Sequence, residues 1–513
     1  MDGDAPQVLE RDDPFREPLF PYALKVAGRL PGVLESLAQG AFLLLEAPRL
    51  AGKTMALKDL ARELSASPAN LAVYVPLRAL GGESDPAAAV AATASLVAES
   101  LAAFPGAAPP DPGPYARRRG LADYLPKVLE TGERRLALFL DDIDSPPAPA
   151  REALVGEIFL ALARAQEGGR RLSALFSARL GFAETRAGGA PDAFARSPLA
   201  SARLISLPPW GPDDLKLLLD GPFAKRAISF SPEAAEELLY FSGGSPGLTV
   251  KLVSRALESL PPGFQGELGA DRVDRASRLL ILERRGNFLG PLLHPLADAR
   301  VQRVMEAVLL GDGALPAAAT MEDVGLCLGL GLLSDKDSTL APTCPLTREA
   351  ILSALAHRFA LALPRDLEIP FRAGKRLDMG VLLLNFQAFF LETVKVPPSS
   401  PDYSPSHGPL ALAAYLQKAL GEEGTLLSEY GLGRRRLDLL LTREGRNYPV
   451  FTRVAAQGPH SPTLLKNLAA RLDRLRATEG WLVYFNPVGS GSSPKPPFAA
   501  EKIEGRTIYW LEC

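Results

Sequence analysis

Ala47-Pro48-Arg49-Leu50-Ala51-Gly52-Lys53-Thr54 follows an apolar run of strand length and leads into an amphipathic helical stretch. The spacing is that of the phosphate-binding loop GxxxxGK[ST], with Ala47 in place of the first glycine. Such a loop curls its backbone N–H groups around a β-phosphate at a helix N-terminus, where the helix dipole favours negative charge. Gly52 lets the main chain approach closely, Lys53 reaches the β- and γ-phosphates, and Thr54 offers its hydroxyl to Mg²⁺. Ala47 can open the loop if its φ is negative. The expected ligand is therefore ATP with Mg²⁺.

A second chemical signal is Leu136-Ala137-Leu138-Phe139-Leu140-Asp141-Asp142, an apolar run that ends in two carboxylates. Asp141 is placed to hold Mg²⁺ through water, and Asp142 to polarise the water that attacks the γ-phosphate. Asp142 is one methylene shorter than the glutamate often found in that role. Asp144, on the next turn, reads as a loop or cap residue. A later apolar run ends in Ser177-Ala178-Arg179, and an arginine at such a strand end can sense the γ-phosphate. Further on, Gly243-Gly244-Ser245-Pro246-Gly247 joins two helical patterns, with Pro246 where a helix begins.

These residues need rigid elements to hold them, and the first 210 residues supply the pattern. Runs 41–46, 71–77, 136–141, 172–178 and 202–207 are continuously apolar and of strand length, as strands covered on both faces are. Helical stretches such as 54–65 and 150–166 lie between them. Strand–helix alternation of this kind predicts an α/β domain with a doubly wound parallel sheet. Beyond residue 210 the strand signal fades, and helices near 212–220, 231–241 and 246–259 form a helical lid.

Composition bounds the remaining possibilities. The chain has 513 residues, 47% hydrophobic and 23% charged, with 57 Lys+Arg against 59 Asp+Glu. The length predicts three or four domains. A net charge of -2 argues against a protein built mainly to coat nucleic acid. Cys327, Cys344 and Cys513 are too scattered for a disulfide framework, and the four histidines lack a second ligand at helical spacing. The acidic start has no apolar core of a signal peptide, and no run reaches the length that spans a bilayer. A cytoplasmic protein without membrane contact is expected.

APRLAGKT, LALFLDDID, LFSAR and GGSPGLTVKL, in this order and spacing, resemble the AAA-related signal-transduction ATPases with numerous domains (STAND). The resemblance implies that Arg179 reads the γ-phosphate and that Pro246 touches adenine. It also implies a winged helix after the ATPase core. Here a helix, the segment LGLGLLSDKDSTLAPT (328–343) and PLTREAILSAL (345–355) suit that unit. Met321–Leu333, its recognition segment, has no Lys or Arg for phosphates, so a packing role is expected. RLDMGVLLLNFQAFFLETV (376–394) reads as one apolar helix that docks one domain on the next, and PPSSPDYSPSHGP (397–409) as a linker.

From residue 407 the order helix, three strands, helix, strand and a last strand resembles the PD-(D/E)XK restriction-endonuclease-like fold. Specifically, EYGLGRRRLDLLL (429–441) and EGWLVYF (479–485) are similar to the C-terminal domains of bacterial ATPases that join a STAND-like module to such a unit. A nuclease of that type holds Mg²⁺ between an Asp and an acid on the next strand, with a Lys nearby. Asp438 supplies the first, but the ExK positions fall on Phe451-Thr452-Arg453, and the helix position that often carries Gln falls on Asn467. The expectation is a catalytically dead domain. Arg434, Arg435, Arg436 and Arg453 leave nucleic-acid binding open, as a protein-docking surface also is.

The resulting organisation is a P-loop ATPase core (1–210), a helical lid (211–270), a winged-helix-like domain (271–365), a helical connector and linker (366–406) and a degenerate nuclease-like domain (407–513). The function expected is an ATP-binding, slowly hydrolysing STAND-type switch, with nucleotide-dependent self-association and an unidentified protein partner. Two rivals stand beside it: an ATP-gated Mg²⁺-dependent nuclease that draws an acid from Glu429, and a scaffold with a vestigial phosphate loop.

Overall fold

The computed structural model describes residues 28–104, 108–117, 119–130, 134–182, 198–220, 227–261, 263–282, 293–310, 319–336, 339–360, 363, 370–372, 376–394, 407–420, 424–427, 438–454, 462–475, 477–486 and 498–513. It divides into two compact units, Met1–Leu280 with Leu328–Gly331, and Ile281–Cys327 with Leu332–Cys513.

The first unit begins with α1 (Val33–Ala38), β1 (Phe42–Ala47), α2 (Lys53–Ser65), β2 (Asn70–Pro76), α3 (Pro86–Ala102), α4 (Gly120–Glu130), β3 (Arg135–Asp141), α5 (Ala148–Glu167), β4 (Leu172–Arg179) and β5 (Arg203–Ser206). The five strands form one parallel sheet in the order β2-β3-β4-β1-β5. Alternate side chains of β1 to β4 feed two cores, while the edge strand β5 leaves Arg203, Leu204 and Ser206 exposed. Val73, Val75, Leu138, Leu140 and Phe176 pack with α3, α4 and α5. Leu43, Leu45, Phe139 and Leu175 pack with α1 and α2 on the opposite face. This two-sided burial is why the strands are apolar without alternation.

The predicted strands stand where the apolar runs placed them, while two helices in between escaped the reading. α3 is alanine-rich, and its start is a local signal: the Asp85 carboxylate accepts the N–H of Ala88 at 2.9 Å, with Pro86 in the first turn. α4 is held from a distance. The buried Glu157 carboxylate on α5 accepts the N–H groups of Leu121 at 2.9 Å and Ala122 at 3.3 Å, and that of Arg119 as well. The proline-rich segment 145–150 already turns into α5 at Ala148, because a proline is tolerated in a first helical turn.

Beyond β5 come α6 (Pro212–Asp220), β6 (Ile228–Phe230), α7 (Pro232–Ser242), α8 (Pro246–Glu258), β7 (Gly266–Leu268) and α9 (Ala270–Leu282). The helices α6, α7 and α8 stand where the helical patterns near 212–220, 231–241 and 246–259 placed them. The short parallel pair β6–β7 was not expected, since runs of three residues carry no periodicity. Gly244, between α7 and α8, has φ +72°, and its carbonyl accepts the Trp210 N–H at 2.7 Å. A Cβ there would stand 2.4 Å from the Trp210 carbonyl oxygen, so only glycine fits this turn.

The second unit contains α10 (Ala299–Leu310), α11 (Met321–Gly329), the antiparallel hairpin β8 (Leu333–Lys336) and β9 (Thr339–Pro342), and α12 (Pro345–Ala360). Next come the strand pair β10 (Phe371–Arg372) and β11 (Arg376–Leu377), then α13 (Met379–Phe389). The apolar helix expected over 376–394 is thus shorter. Asp378 caps it by accepting the Val381 N–H at 3.3 Å, and a widened turn over Phe390–Val394 ends it. Of the expected linker, residues 397–406 lie outside the described residues, and His407–Pro409 already belong to α14 (His407–Leu420).

The last sheet is built from β12 (Gly424–Leu427), β13 (Asp438–Arg443), β14 (Arg446–Val454), α15 (Pro462–Arg474), β15 (Glu479–Phe485), β16 (Ala499–Ile503) and β17 (Arg506–Glu512). Its order is β12-β13-β14-β15-β17-β16, with β12, β13 and β14 antiparallel and β14, β15 and β17 parallel. Both tight hairpins turn on Glu-Gly, Glu444-Gly445 and Glu504-Gly505, all four residues at positive φ. The second turn creates β16, which the sequence reading left out. α13 packs on this sheet: the Phe386 and Phe485 ring centroids are 6.3 Å apart, and Gln387 donates to the Glu512 carbonyl at 2.6 Å.

Phe451 sits at 2% exposure among Leu464, Leu468, Leu482 and Ile508. Replacing it with alanine is expected to lower stability by about 3–5 kcal/mol. The check is urea denaturation of the full chain followed through the tryptophans of this sheet, with the transition moving to lower urea.

Candidate phosphate-binding site

The phosphate loop runs from the C-terminal end of β1 to the N-terminus of α2, on the edge of the sheet where β3 and β4 also end. Parallel register sets Ala47 beside Arg179 and Pro76 beside Asp141. The residues read from distant parts of the sequence therefore converge. Gly52 takes φ +86° as the residue before the helix, and Leu50 takes φ +62°, a strained value for a branched side chain.

Lys53 is 8% exposed, and its ammonium donates to the loop's own carbonyls, Ala47 at 2.8 Å and Pro48 at 3.0 Å. Burial lowers its pKa from the ordinary lysine value, against the opposing pull of Asp142, Asp144 and Asp141. A lysine held in this way is an electrostatic anchor for an anion at the loop.

Asp141 is the best-satisfied group of the site. Its carboxylate is 3% exposed and accepts three hydroxyls: Thr54 at 2.6 Å and Tyr74 at 2.8 Å on Oδ2, and Ser177 at 2.5 Å on Oδ1. The contact between Thr54 and Asp141 brings together the two oxygen donors that Mg²⁺ favours, the remaining positions of such a site going to water and phosphate. The donor set therefore fits Mg²⁺. Tyr74 is locked as a donor, because burial and the Asp141 charge raise its pKa.

Asp142 has φ +58°, and its N–H donates to Ser177 Oγ at 2.9 Å. Burial first, and then the charges of Asp141 and Asp144, raise its pKa above the ordinary 3.8. Asp144, read from sequence as a loop or cap residue, instead pairs through its nearly buried carboxylate with Arg179 Nε. Arg179 is thus held at the mouth of the site, beside the start of the loop.

The start of α8 reaches the loop. Leu50 O accepts the Gly247 N–H at 3.0 Å and the Ser245 hydroxyl at 3.1 Å, so the strained residue is fixed by the first turn of α8. Pro246 is buried there, and a Cβ on Gly52 would lie 3.6 Å from its ring. The ring thus rests on the phosphate loop. Gly331, φ +73°, lies against the other side, where an added Cβ would meet Arg49 O and Pro48 Cβ at 3.3 Å.

Sequence reasoning missed Tyr74 and the bond from Ser177 to Asp141, whereas Ser245 and Gly247 belong to the glycine-rich element already singled out at 243–247. The first two carried a signal: a hydroxyl inside an otherwise apolar, doubly covered strand must find a partner, and Asp141 is the acceptor at that strand end. Of the nuclease positions, register sets Asp438 opposite Phe451, Arg453 is partly exposed beside Tyr484, and Asn467 is exposed on α15. Arg434, Arg435, Arg436 and Glu429 lie outside the described residues.

No family model matches the chain, and no curated protein matches it. Among solved structures, it is similar to the Walker-type ATPase PABY2304 of Pyrococcus abyssi, with 15% identity and a TM-score of 0.44 over 62% of this chain and 93% of that one. The RuvB Holliday junction branch migration motor of Thermotoga maritima follows at 18% identity and a TM-score of 0.34, over 63% and 95% of the two chains. Cdc6p from Pyrobaculum aerophilum gives 17% identity and 0.34, over 67% and 95%. The first unit, by its own parallel sheet and loop, has the P-loop NTPase arrangement. Among the described residues no helix is long and apolar enough to cross a membrane.

The raised pKa of Asp142 makes a signed prediction. An acid raised in the folded state costs stability when ionised; that cost is complete above its folded pKa and gone below 3.8. Asp142→Asn is therefore expected to raise the melting temperature at about pH 7, with the gain shrinking as pH falls towards about 4.5. Melting curves of both proteins across that range check it, and a gain that grows on acidification would contradict the assignment.

Proposed function

We propose that the chain is a cytoplasmic ATP-dependent switch of the STAND type, whose first unit binds ATP with Mg²⁺ and hydrolyses it slowly. One observation carries the reading: the Leu50 carbonyl, inside the phosphate loop, is held by Ser245 and Gly247 of the lid. A loop that rearranges around phosphates has to hold or release that grip, and the lid responds to the nucleotide.

In this reading Lys53 leaves the Ala47 and Pro48 carbonyls for the β- and γ-phosphate oxygens, and the loop N–H groups surround the β-phosphate. Thr54 and Asp141 would hold Mg²⁺, which would supply positive charge against the charge that develops on the phosphate oxygens. Asp142 accepts a hydrogen bond from the attacking water and orients it. Water oxygen bonds to the γ-phosphorus as the bond to the bridging oxygen breaks, leaving ADP and inorganic phosphate. Arg179, freed from Asp144, would meet the γ-phosphate, and Pro246 would border the adenine.

The last domain is read as a nuclease-like fold without catalysis. Its order, α14-β12-β13-β14-α15-β15, is consistent with that family, and Phe451 supports the loss of chemistry. At the position of the second acid the chain has a ring packed into an apolar core. The domain then serves as a docking surface for a protein partner or for a second copy in the ATP-bound state.

Steady-state ATP turnover with Mg²⁺ tests the reading, beside Lys53→Ala and Ser245→Ala. Slow turnover is expected, falling at least tenfold in Lys53→Ala. Ser245→Ala should retain nucleotide binding and change the turnover rate several-fold, because it loosens the lid without touching phosphate. Turnover that survives Lys53→Ala would place the activity elsewhere.

A further inference from the structure

At the end of β2, outside every motif read from the sequence, Arg78 stands in a short turn, Leu77–Leu80. Leu77 is fully buried and Leu80 is 6% exposed, so the turn is pinned, while the arginine between them is exposed. The neighbouring strand fixes its surroundings. Pro76 lies in parallel register with Asp141, so the residues that follow each strand end emerge side by side. Gly81 closes the turn by donating to the Arg78 carbonyl at 3.1 Å, and a Cβ on Gly81 would be 3.9 Å from the Ser145 carbonyl oxygen. The turn of Arg78 therefore sits against the Asp142–Ser145 turn.

Charge gathers at this point. Arg78 acts electrostatically on the Asp142 carboxyl on one side and on Arg49 of the phosphate loop on the other. Arg49 is also repelled by Arg179, and its pKa is lowered by desolvation and by these two arginines. Lys53, Arg49, Arg78 and Arg179 thus share one strand edge with Asp141, Asp142 and Asp144. Of the carboxylates, Asp141 is turned into its three hydroxyls and Asp144 towards Arg179. Asp142 attracts Lys53 and Arg78, and with Asp144 it attracts Arg49, so four cations and three carboxylates alternate along this edge. The exposed Arg78 is the cation outside the loop and its strand-end Asp–Arg pair.

We infer that Arg78 is a phosphate-binding residue that, with Arg49, engages the terminal phosphate and makes this site select a nucleoside triphosphate over a diphosphate. The inference rests on the nucleotide reading above and adds to it. Lys53 and the loop N–H groups serve the β-phosphate of either nucleotide. Arg78 approaches from the Asp142 side, where only a third phosphate would extend. A guanidinium is suited to this task because its planar fork meets two phosphate oxygens at once.

The test is equilibrium binding of Mg²⁺-ATP and Mg²⁺-ADP to the full chain, to Arg78→Ala, to Arg78→Lys and to Lys53→Ala. Wild type is expected to favour ATP. Arg78→Ala should lose about tenfold in ATP affinity, the worth of one charge-assisted contact, with ADP affinity unchanged within about twofold. Arg78→Lys should recover part of the ATP preference. Equal losses for ATP and ADP, or no loss for either, would overturn the role of Arg78 and leave the nucleotide site standing. A wild-type chain that binds neither nucleotide, or a Lys53→Ala chain that binds both as well as wild type, would instead overturn the nucleotide reading.

Discussion

Asp141 accepts hydroxyl hydrogen bonds from α2, β2 and β4, through Thr54, Tyr74 and Ser177, while standing at the end of β3. A carboxylate at 3% exposure would be expensive to ionise without partners, and three donors on its two oxygens compensate that cost. The same bonds tie together the four elements that surround the phosphate loop. Removing one hydroxyl leaves the others and the charge in place; removing the carboxylate takes the shared acceptor from three hydroxyls, one of them, that of Ser177, buried. The position of Thr54 relative to the sheet, the orientation of Ser177 and the turn of Asp142 all follow from this one group. Ser177 is the link between the last two, since it donates to Asp141 and accepts from the Asp142 N–H.

Much of this was legible in the residues themselves. A doubly covered parallel strand has to be apolar at every position, so β1 to β4 announced themselves as runs, and GKT and Asp-Asp marked the ends that face solvent. The convergence of Lys53, Thr54, Asp141 and Arg179 then followed from parallel topology, which brings all the strand C-termini to one edge. What stayed hidden depended on contacts far apart in sequence. Nothing near α4 reveals that its N-terminus is capped by Glu157, and nothing in an exposed arginine after β2 reveals that its neighbours are Asp142 and Arg49. The grip of Ser245 and Gly247 on Leu50 spans almost two hundred residues. Its only trace in the sequence is a serine next to a helix-initiating proline, which reads equally well as a cap.

The C-terminal sheet illustrates the opposite lesson, in which the order of elements was easier to see than the surroundings of one residue within it. The order of strands and helices was legible from 407 onwards, and the two Glu-Gly turns are strong local signals even though the second was overlooked. Whether position 451 lies at a metal or in a core cannot be read from one aromatic residue. Packing decides it: Phe451 is buried in one cluster with Leu464 and Leu468 of α15, Leu482 of the paired strand β15 and Ile508 of β17. A carboxylate introduced there would lose its hydration without gaining a cation, so restoring the acid alone would cost stability before it could create chemistry.

Two residues of the site are held at positive φ without being glycine, Leu50 in the phosphate loop and Asp142 at the strand end. Each conformation costs roughly 1–3 kcal/mol and persists only where surrounding bonds over-determine it. The bonds differ in kind. Asp142 is fixed inside the sheet by Ser177, whose own partners are buried strands, so its strain is permanent. Leu50 is fixed by Ser245 and Gly247, which belong to the lid, so its strain lasts only while the lid stays in place. A phosphate group that satisfied the loop N–H groups would change the balance at Leu50 and leave Asp142 untouched. That asymmetry separates the two halves of the proposed activity, with a rigid strand end for the hydrolytic step and a releasable loop for the signal.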